Sequence, residues 1–348
     1  MLKLPSEFVQ RLRPFYEGKA VCVTGGAGFI GGHLVDALFG LGATVTVIDD
    51  LSNSDVQHVA SLVDLDPDRV HFIHGSILED SAITEAVRGA KVVFHLAAMS
   101  SVPRSIDEPE RCMVVNTIGT LRVAQAAVKE GVARIVYSAS SSAYGDQDAR
   151  EGSVVRPKVE TQAPVPLSPY AVGKLSGEQI MRAWSASYGI STLSLRYFNI
   201  FGPRQPADSP YSAVIAVFAK KLMASESPTI FGDGGQSRDF TYVTNAVLAN
   251  LLAGASSKKL SGEVVNIGSG RAVDLNTLYK LIAASCGVPH VVPIYAPSRT
   301  GDVRHSLADL SAAADLIGYV PVATLDEGLE TTLAWYRSVF AASNSEQA

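Results

Sequence analysis

Residues 21–32 read Val21-Cys22-Val23-Thr24-Gly25-Gly26-Ala27-Gly28-Phe29-Ile30-Gly31-Gly32, and His33-Leu34-Val35-Asp36-Ala37-Leu38 follows with helical spacing. An apolar strand running through a glycine-rich turn into a helix is the entry to a dinucleotide-binding fold. The glycines permit a tight turn, let backbone N–H groups approach a pyrophosphate, and let helix pack closely on strand. The helix N-terminus then presents its free N–H groups and positive dipole end to the phosphates. Two spacings fit together, Gly26-x-Gly28-x-x-Gly31 and Gly25-x-x-Gly28-x-x-Gly31. The next strand, Thr44-Val45-Thr46-Val47-Ile48, ends in Asp49. That is about 20 residues past the turn, where an acid meets the adenosine ribose hydroxyls.

Beyond this unit, strand and helix patterns alternate. Strands are expected over 20–24, 44–48, 70–73, 92–95, 134–138 and 192–196, and helices over 29–40, 54–64, 80–87, 110–130 and 168–188, after a short leader helix over 6–15. This alternation predicts an α/β fold: a Rossmann-type doubly wound parallel sheet with right-handed crossovers. After Asn199 proline and glycine cluster and the helical segments separate. There the pattern predicts a smaller, interleaved C-terminal α/β lobe that binds substrate. The expected division is a Rossmann domain over 1–199, with segments near 238–268 returning to it. The second lobe covers 200–237 and 269–341, and a flexible tail 342–348.

A chain of 348 residues that is 47% hydrophobic and 18% charged has the composition of a globular protein with a large core. Its net charge of −5 argues against nucleic acid as a partner. No apolar run is long enough for a membrane span, and the N-terminal residues lack a signal-peptide pattern. The three cysteines, Cys22, Cys112 and Cys286, are too scattered for a disulfide framework or a metal site, which points to a reducing cytoplasm and no metal.

Two stretches carry chemistry. Tyr137-Ser138-Ala139-Ser140-Ser141-Ser142-Ala143-Tyr144-Gly145 lies at the carboxyl end of a strand, and Tyr170-Ala171-Val172-Gly173-Lys174 opens a long helix. A tyrosine and a lysine at i and i+4 share one helix face. An ammonium beside the phenol is expected to lower its pKa from about 10 toward that of a usable general base, with a serine hydroxyl relaying the proton.

On these residues the chain resembles the extended short-chain dehydrogenases/reductases that modify nucleotide sugars, over about residues 18–340. The motifs are the glycine turn, Leu96-Ala97-Ala98, Asn116-Thr117-Ile118-Gly119-Thr120, Tyr170-x-x-x-Lys174, and Arg196-Tyr197-Phe198-Asn199-Ile200-Phe201-Gly202-Pro203. The resemblance implies NAD as cofactor and Ser140, Tyr170 and Lys174 as the catalytic set. It implies cofactor contacts from Gly25, Gly28, Phe29, Ile30 and Gly31, and from Asp49, Asp50, Leu51, Asn53 and Ser54 after the second strand. Others are implied at Ser76, Ile77, Leu96, Ala97, Ala98 and Ser100, and at Asn116, Ser138, Tyr170, Lys174, Tyr197 and Phe198.

For a UDP-sugar the implied contacts are Ser101, Arg104, Ser140, Ser141, Tyr170 and Asn199, then Ala213, Val214, Ile230 and Phe231. Arg238 and Arg299 are implied at the diphosphate, Asp302 at the uridine ribose, and Ser306 near C2 of the sugar. Guanidinium groups suit phosphate because they bind its oxygens in pairs.

Dehydratases of this group carry an Asp–Glu pair where this chain has Ser141 and Ser142, and its decarboxylases usually have a glutamate at the second position. C4 epimerisation through a transient 4-keto sugar is therefore the implied reaction. The small Ser306 leaves room for an N-acetyl group, as in UDP-N-acetylglucosamine 4-epimerases, so UDP-GlcNAc/UDP-GalNAc are the expected substrates and UDP-Glc/UDP-Gal weaker ones. UDP-glucuronate or N-acetylglucosaminuronate epimerisation, with Arg104 and nearby serines on the carboxylate, is the alternative within enzymes. A non-catalytic NAD-binding scaffold is the alternative outside them. The chain departs from the family at Ser76, where an aspartate is usual, at Ser100, where some relatives have lysine, and in a longer stretch over 146–157. Helices 110–130 and 168–188 are expected to pair with their copies in a homodimer through a four-helix bundle.

Overall fold

The computed structural model describes residues 4–147, 155–207, 213–298 and 303–345. Six strands come in quick succession: β1 (Ala20–Thr24), β2 (Thr44–Asp49), β3 (Val70–His74), β4 (Val92–His95), β5 (Arg134–Ser140) and β6 (Ser191–Tyr197). Three short ones follow, β7 (Asn199–Phe201), β8 (Thr229–Phe231) and β9 (Ser237–Tyr242), and then β10 (Ser261–Ile267), β11 (Ala272–Asp274) and β12 (Ile294–Ala296). Seven form one sheet in the order β10-β6-β5-β4-β1-β2-β3, every neighbour parallel. This is the doubly wound order, reversing direction between β1 and β4.

Alternation along the strands decides which layer each side chain joins. On one face Val21, Val23, Val45, Val47 and Val136 pack with the helices Phe29–Gly40 and Val243–Ala255. On the other, Cys22, Ile48, Val93, Ile135 and Tyr137 pack with the helices Asp80–Val87, Thr120–Lys129 and Pro169–Tyr188. The leader helix, Ser6–Tyr16, is fastened to the first layer by the Tyr16 hydroxyl, which donates to the Leu251 carbonyl at 2.7 Å.

The sheet strands match their expected positions to within two residues at most ends, and β10 does return to the main sheet. Two helices differ. The second crossover helix begins at Gln57 rather than at residue 54. The stretch 110–130 is not one continuous helix: Pro109–Met113 passes through a π-helical turn, Val114–Gly119, before Thr120–Lys129 resumes. Wider turns of this kind collect at functional sites. The last helix, Leu325–Ser345, extends into the stretch read as a tail, and 346–348 lie outside the described residues.

The remaining strands form a three-stranded sheet, β11-β9-β7, and a parallel pair, β12-β8. Of these, β7 and β9 reach a cleft at the carboxyl ends of the main strands, through Asn199, Ile200 and Arg238. Among the described residues no helix is long and apolar enough to cross a membrane.

Candidate active site

A cleft of about 1270 Å³ opens at the carboxyl end of the parallel sheet, where ligands bind in folds of this order. The glycine turn forms its floor. Gly25 has φ +71°, and a side chain there would stand 2.7 Å from the Ala97 nitrogen. A Cβ on Gly31 would lie 2.1 Å from the Gly25 carbonyl oxygen. Strand and helix therefore meet with no room for any side chain, which leaves backbone N–H groups as the cradle's surface. Asp49 fixes this turn to the end of β2: one carboxylate oxygen accepts from Ala27 N at 3.0 Å, the other from Leu51 N and the Ser54 hydroxyl. The cradle fits a dinucleotide pyrophosphate, and Asp49 faces the cleft beside it.

Tyr170 and Lys174 are placed by the first turns of the helix Pro169–Tyr188. Ser168 caps it, accepting from Ala171 N at 3.2 Å, with Pro169 at the first position, where no amide donor is needed. The Tyr170 amide, which has no partner within the helix, donates to the Ser105 hydroxyl at 3.1 Å. Ser140 closes β5 in extended conformation. It accepts from both the Ser142 amide, at 3.2 Å, and the Ser142 hydroxyl, at 2.9 Å. The Ser140 hydroxyl beside Tyr170 lowers the phenol's pKa against its burial. Ser142 thus serves the phenol through Ser140, a role that lay outside the sequence reading.

The electrostatics correct one expectation. Burial raises the Tyr170 phenol above its ordinary value, and the opposing influence comes from Ser140. The Lys174 ammonium points elsewhere: it donates to the Ser138 carbonyl at 2.8 Å and stands 5.2 Å from the Tyr137 ring centre. Burial lowers Lys174 from 10.5 to about 8, against a raising influence from Cys112 and Glu178. Sharing a helix face brought the two side chains into one site, but charge was not delivered to the phenol.

Most implied site residues converge on this one cleft. From the cofactor set it is lined by Gly25, Gly28, Phe29, Ile30 and Gly31, by Asp49, Asp50, Asn53 and Ser54, and by Ser76 and Ile77. Leu96, Ala97, Ala98 and Ser100 join them, with Ser138, Tyr170, Lys174, Tyr197 and Phe198 deeper in. The substrate set contributes Ser101, Arg104, Ser140, Ser141, Asn199, Ala213, Arg238 and Ser306. Five implied residues do not line it. Leu51 packs against the core. Asn116 is buried behind the wall. Val214 starts a helix, while Ile230 and Phe231 lie in β8, with Ile230 fully buried. Arg299 and Asp302 lie outside the described residues, as do 148–154 of the long stretch.

That stretch is anchored on both sides of the gap. The Asp146 carboxylate accepts from Arg304 N at 3.2 Å, and Lys158 N donates to the Leu307 carbonyl at 2.8 Å. Lys158 is 3% exposed and lines the cleft near Ser306. It escaped the sequence reading because a loop lysine beside a proline carries no periodic signal.

Behind the site runs a buried charge network. Arg196 donates to both carboxylate oxygens of Glu178, at 2.8 and 2.7 Å, and lies 4.6 Å from the Tyr144 ring centre. Tyr144 donates to the Asn266 side-chain oxygen at 2.7 Å. Glu178 keeps the guanidinium's pKa raised despite its burial.

The NAD-dependent epimerase/dehydratase family model matches residues 21–268. A UDP-glucose 4-epimerase of Mycolicibacterium smegmatis is 35% identical over 319 residues, covering 91% of this chain and 98% of the relative. The structure of a UDP-glucose 4-epimerase from Thermotoga maritima, solved with UDP-glucose, is 37% identical with a TM-score of 0.84, covering 92% and 99% of the two chains. A UDP-N-acetylglucosamine 4-epimerase from Methanobrevibacter ruminantium, solved with UDP-N-acetylmuramic acid, is 36% identical with a TM-score of 0.84, covering 93% and 99%.

Proposed function

The chain belongs to the NAD-dependent epimerase/dehydratase family, and from that premise we propose that it is a UDP-hexose 4-epimerase acting on UDP-GlcNAc and UDP-GalNAc, with UDP-glucose and UDP-galactose as weaker substrates. The observation that carries the reaction type is the strand end beside Tyr170. It offers only hydroxyls, Ser140, Ser141 and Ser142, where elimination of water would need an acid. Such a site can move a proton at a hydroxyl while hydride leaves and returns.

In this reading Tyr170, as phenolate, takes the proton of the 4-hydroxyl. Ser140 stabilises that charge through its hydrogen bond, and Ser142 keeps Ser140 oriented as the donor. NAD⁺ held in the glycine-turn cradle would supply a reversible hydride acceptor, the chemistry that a 4-keto route at the sugar requires. Lys174 holds the Ser138 end of β5 against the helix and offers its remaining protons to the cofactor ribose. Asn199 and Arg238, which also face the cleft, suit the nucleotide diphosphate.

The N-acetyl preference is supported by Ser306, a small side chain lining the cleft, its amide held by the Ser237 carbonyl at 3.1 Å. The test is turnover of UDP-GlcNAc against UDP-glucuronate, read from anomeric NMR signals. Faster uronate turnover overturns the substrate choice, and no C4 isomer from these or from UDP-glucose overturns the reaction.

We further infer a homodimer. Val114, Ile118, Val172 and Tyr188, between 38% and 58% exposed, leave apolar surface on the two helical segments expected to pair. Light scattering tests it. A reducing cytoplasm suits the three free thiols.

A further inference from the structure

His95, the last residue of β4, is fully buried between two threonines. Its Nδ1 lies 2.7 Å from the Thr24 hydroxyl and its Nε2 3.0 Å from the Thr120 hydroxyl. The two hydroxyls have further obligations, and these settle where the protons sit. Thr120 has one proton, and the Asn116 carbonyl 2.7 Å away can only accept, so that proton goes there. Thr120 must then accept from the ring, which puts a hydrogen on Nε2. With Nδ1 left bare, Thr24 donates to it, and in turn accepts from Ala97 N at 3.2 Å. The Tyr137 hydroxyl spends its own proton on the Lys174 carbonyl, 3.3 Å away. Toward Thr120 it can therefore only accept, and a Thr120 proton turned to it would still leave Nε2 as the donor to Thr120.

The resulting chain has one direction: Ala97 N–H to Thr24, Thr24 to His95 Nδ1, His95 Nε2–H to Thr120, Thr120 to the Asn116 carbonyl. One end lines the cleft and the other lies directly behind its wall. Ala97 lines it directly, one strand over from the glycine turn that begins just after Thr24. Asn116 sits in the π-helical turn, and its side chain clamps the next wall segment. Met99 N donates to its oxygen at 2.8 Å, and its nitrogen donates to the Met99 carbonyl at 3.1 Å. Asn116 also presses on the helix that carries the catalytic pair, where a Cβ on Gly173 would come within 2.8 Å of the Asn116 Cβ.

We propose that His95, in its Nε2–H tautomer, is a positioning residue that couples the two walls of the cofactor cleft, holding Ala97 and Asn116 in register. The proposal rests on the family's NAD occupying this cleft. Its surroundings favour the neutral ring. Burial and the nearby Lys174 ammonium push His95 down to about 3, and both groups stand against the Tyr137 ring, His95 at 5.5 Å and Lys174 at 5.2 Å. A charged imidazole would reverse the Thr24 bond, so that Thr24 accepted from both Nδ1 and Ala97 N and its own proton was left without this partner. Neither Thr24, His95 nor Thr120 has an unsatisfied buried atom, so no slack remains in the chain.

The first test uses the intact holoenzyme labelled with ¹⁵N-histidine, the His95 signals being assigned by their loss in His95→Gln. The expected spectrum shows a bare Nδ1 and a protonated Nε2, unchanged between about pH 5 and pH 8, where an ordinary imidazole titrates. A proton on Nδ1, or titration in that range, overturns the assignment whatever the activity. The second test measures NAD affinity in Thr120→Val and Thr120→Ser. Losing one buried hydrogen bond of the chain is expected to weaken NAD about tenfold in Thr120→Val, and Thr120→Ser should restore it. If Thr120→Val only lowers the melting temperature and holds NAD as tightly as wild type, the histidine is structural and the proposal fails.

Discussion

Replacing Lys174 by methionine should stabilise the fold at neutral pH while abolishing catalysis. The ammonium is 4% exposed, and burial lowers it from 10.5 to about 8. At about 1.4 kcal/mol for each tenfold change in proton affinity, keeping it charged inside the fold costs about 3 kcal/mol. Methionine removes that cost and fills a similar volume. It also leaves the Ser138 carbonyl without the donor now at 2.8 Å, a loss of about 1–2 kcal/mol. The net gain expected at pH 7 is therefore about 1–2 kcal/mol. The sign of the pH dependence follows from the lowered value: the folded protein binds the lysine proton less tightly than the unfolded chain. The wild-type penalty is thus complete below about pH 8 and is lifted as pH rises toward 10.5. Over that window wild type should gain about 3 kcal/mol relative to the variant, and the order of stabilities should reverse. Urea unfolding of both proteins stripped of NAD, so that ligand linkage does not intrude, measures this directly. A variant less stable than wild type at pH 7, by an amount that stays constant up to about pH 10, would refute the reasoning.

Four other outcomes follow. Tyr170→Phe should bind NAD normally and lose about 10²- to 10⁴-fold in epimerisation rate, measured with UDP-GlcNAc. Gly31→Ala places a Cβ 2.1 Å from the Gly25 carbonyl oxygen, and should cost about 1–3 kcal/mol in denaturant unfolding and release NAD on gel filtration. Glu178→Gln strands the Arg196 charge, whose side chain is only 5% exposed, so unfolding should show a loss of about 3–5 kcal/mol. Ser306→Tyr should cut turnover of UDP-GlcNAc by about 10- to 100-fold while sparing UDP-glucose, because overlap with the N-acetyl group is the only added cost.

How much was legible depended on whether a feature is written in local pattern or in tertiary contact. The parallel strands are short apolar runs with turn residues on each side, and the Gly25–Gly28–Gly31 spacing carries its own steric reason, so both could be read directly. The π-helical turn could not. Val114-Val115-Asn116-Thr117-Ile118-Gly119 continues the helical period, and what distinguishes it is Asn116's pairing with the Met99 backbone, from a different segment. The Lys174 ammonium went astray for a similar reason: i, i+4 spacing fixes a shared face, but a buried ammonium turns to the best acceptor, here a strand carbonyl that no sequence pattern advertises. Lys158 reaches the cleft on a loop whose ends are tied to residues 304–309, and His95 looks in sequence like any polar residue closing a strand. Conversely, Ile230 and Phe231 were implied by resemblance alone, and they sit in β8 away from the cleft lining.

The reaction itself is tested most directly by mixing the NAD-loaded protein rapidly with UDP-GlcNAc while following reduced-nicotinamide absorbance and product together. The expected record is an absorbance that rises and decays as UDP-GalNAc accumulates, absent in Tyr170→Phe. No absorbance change and no C4 isomer from any UDP-hexose would contradict the assignment of this cleft as a 4-epimerase site.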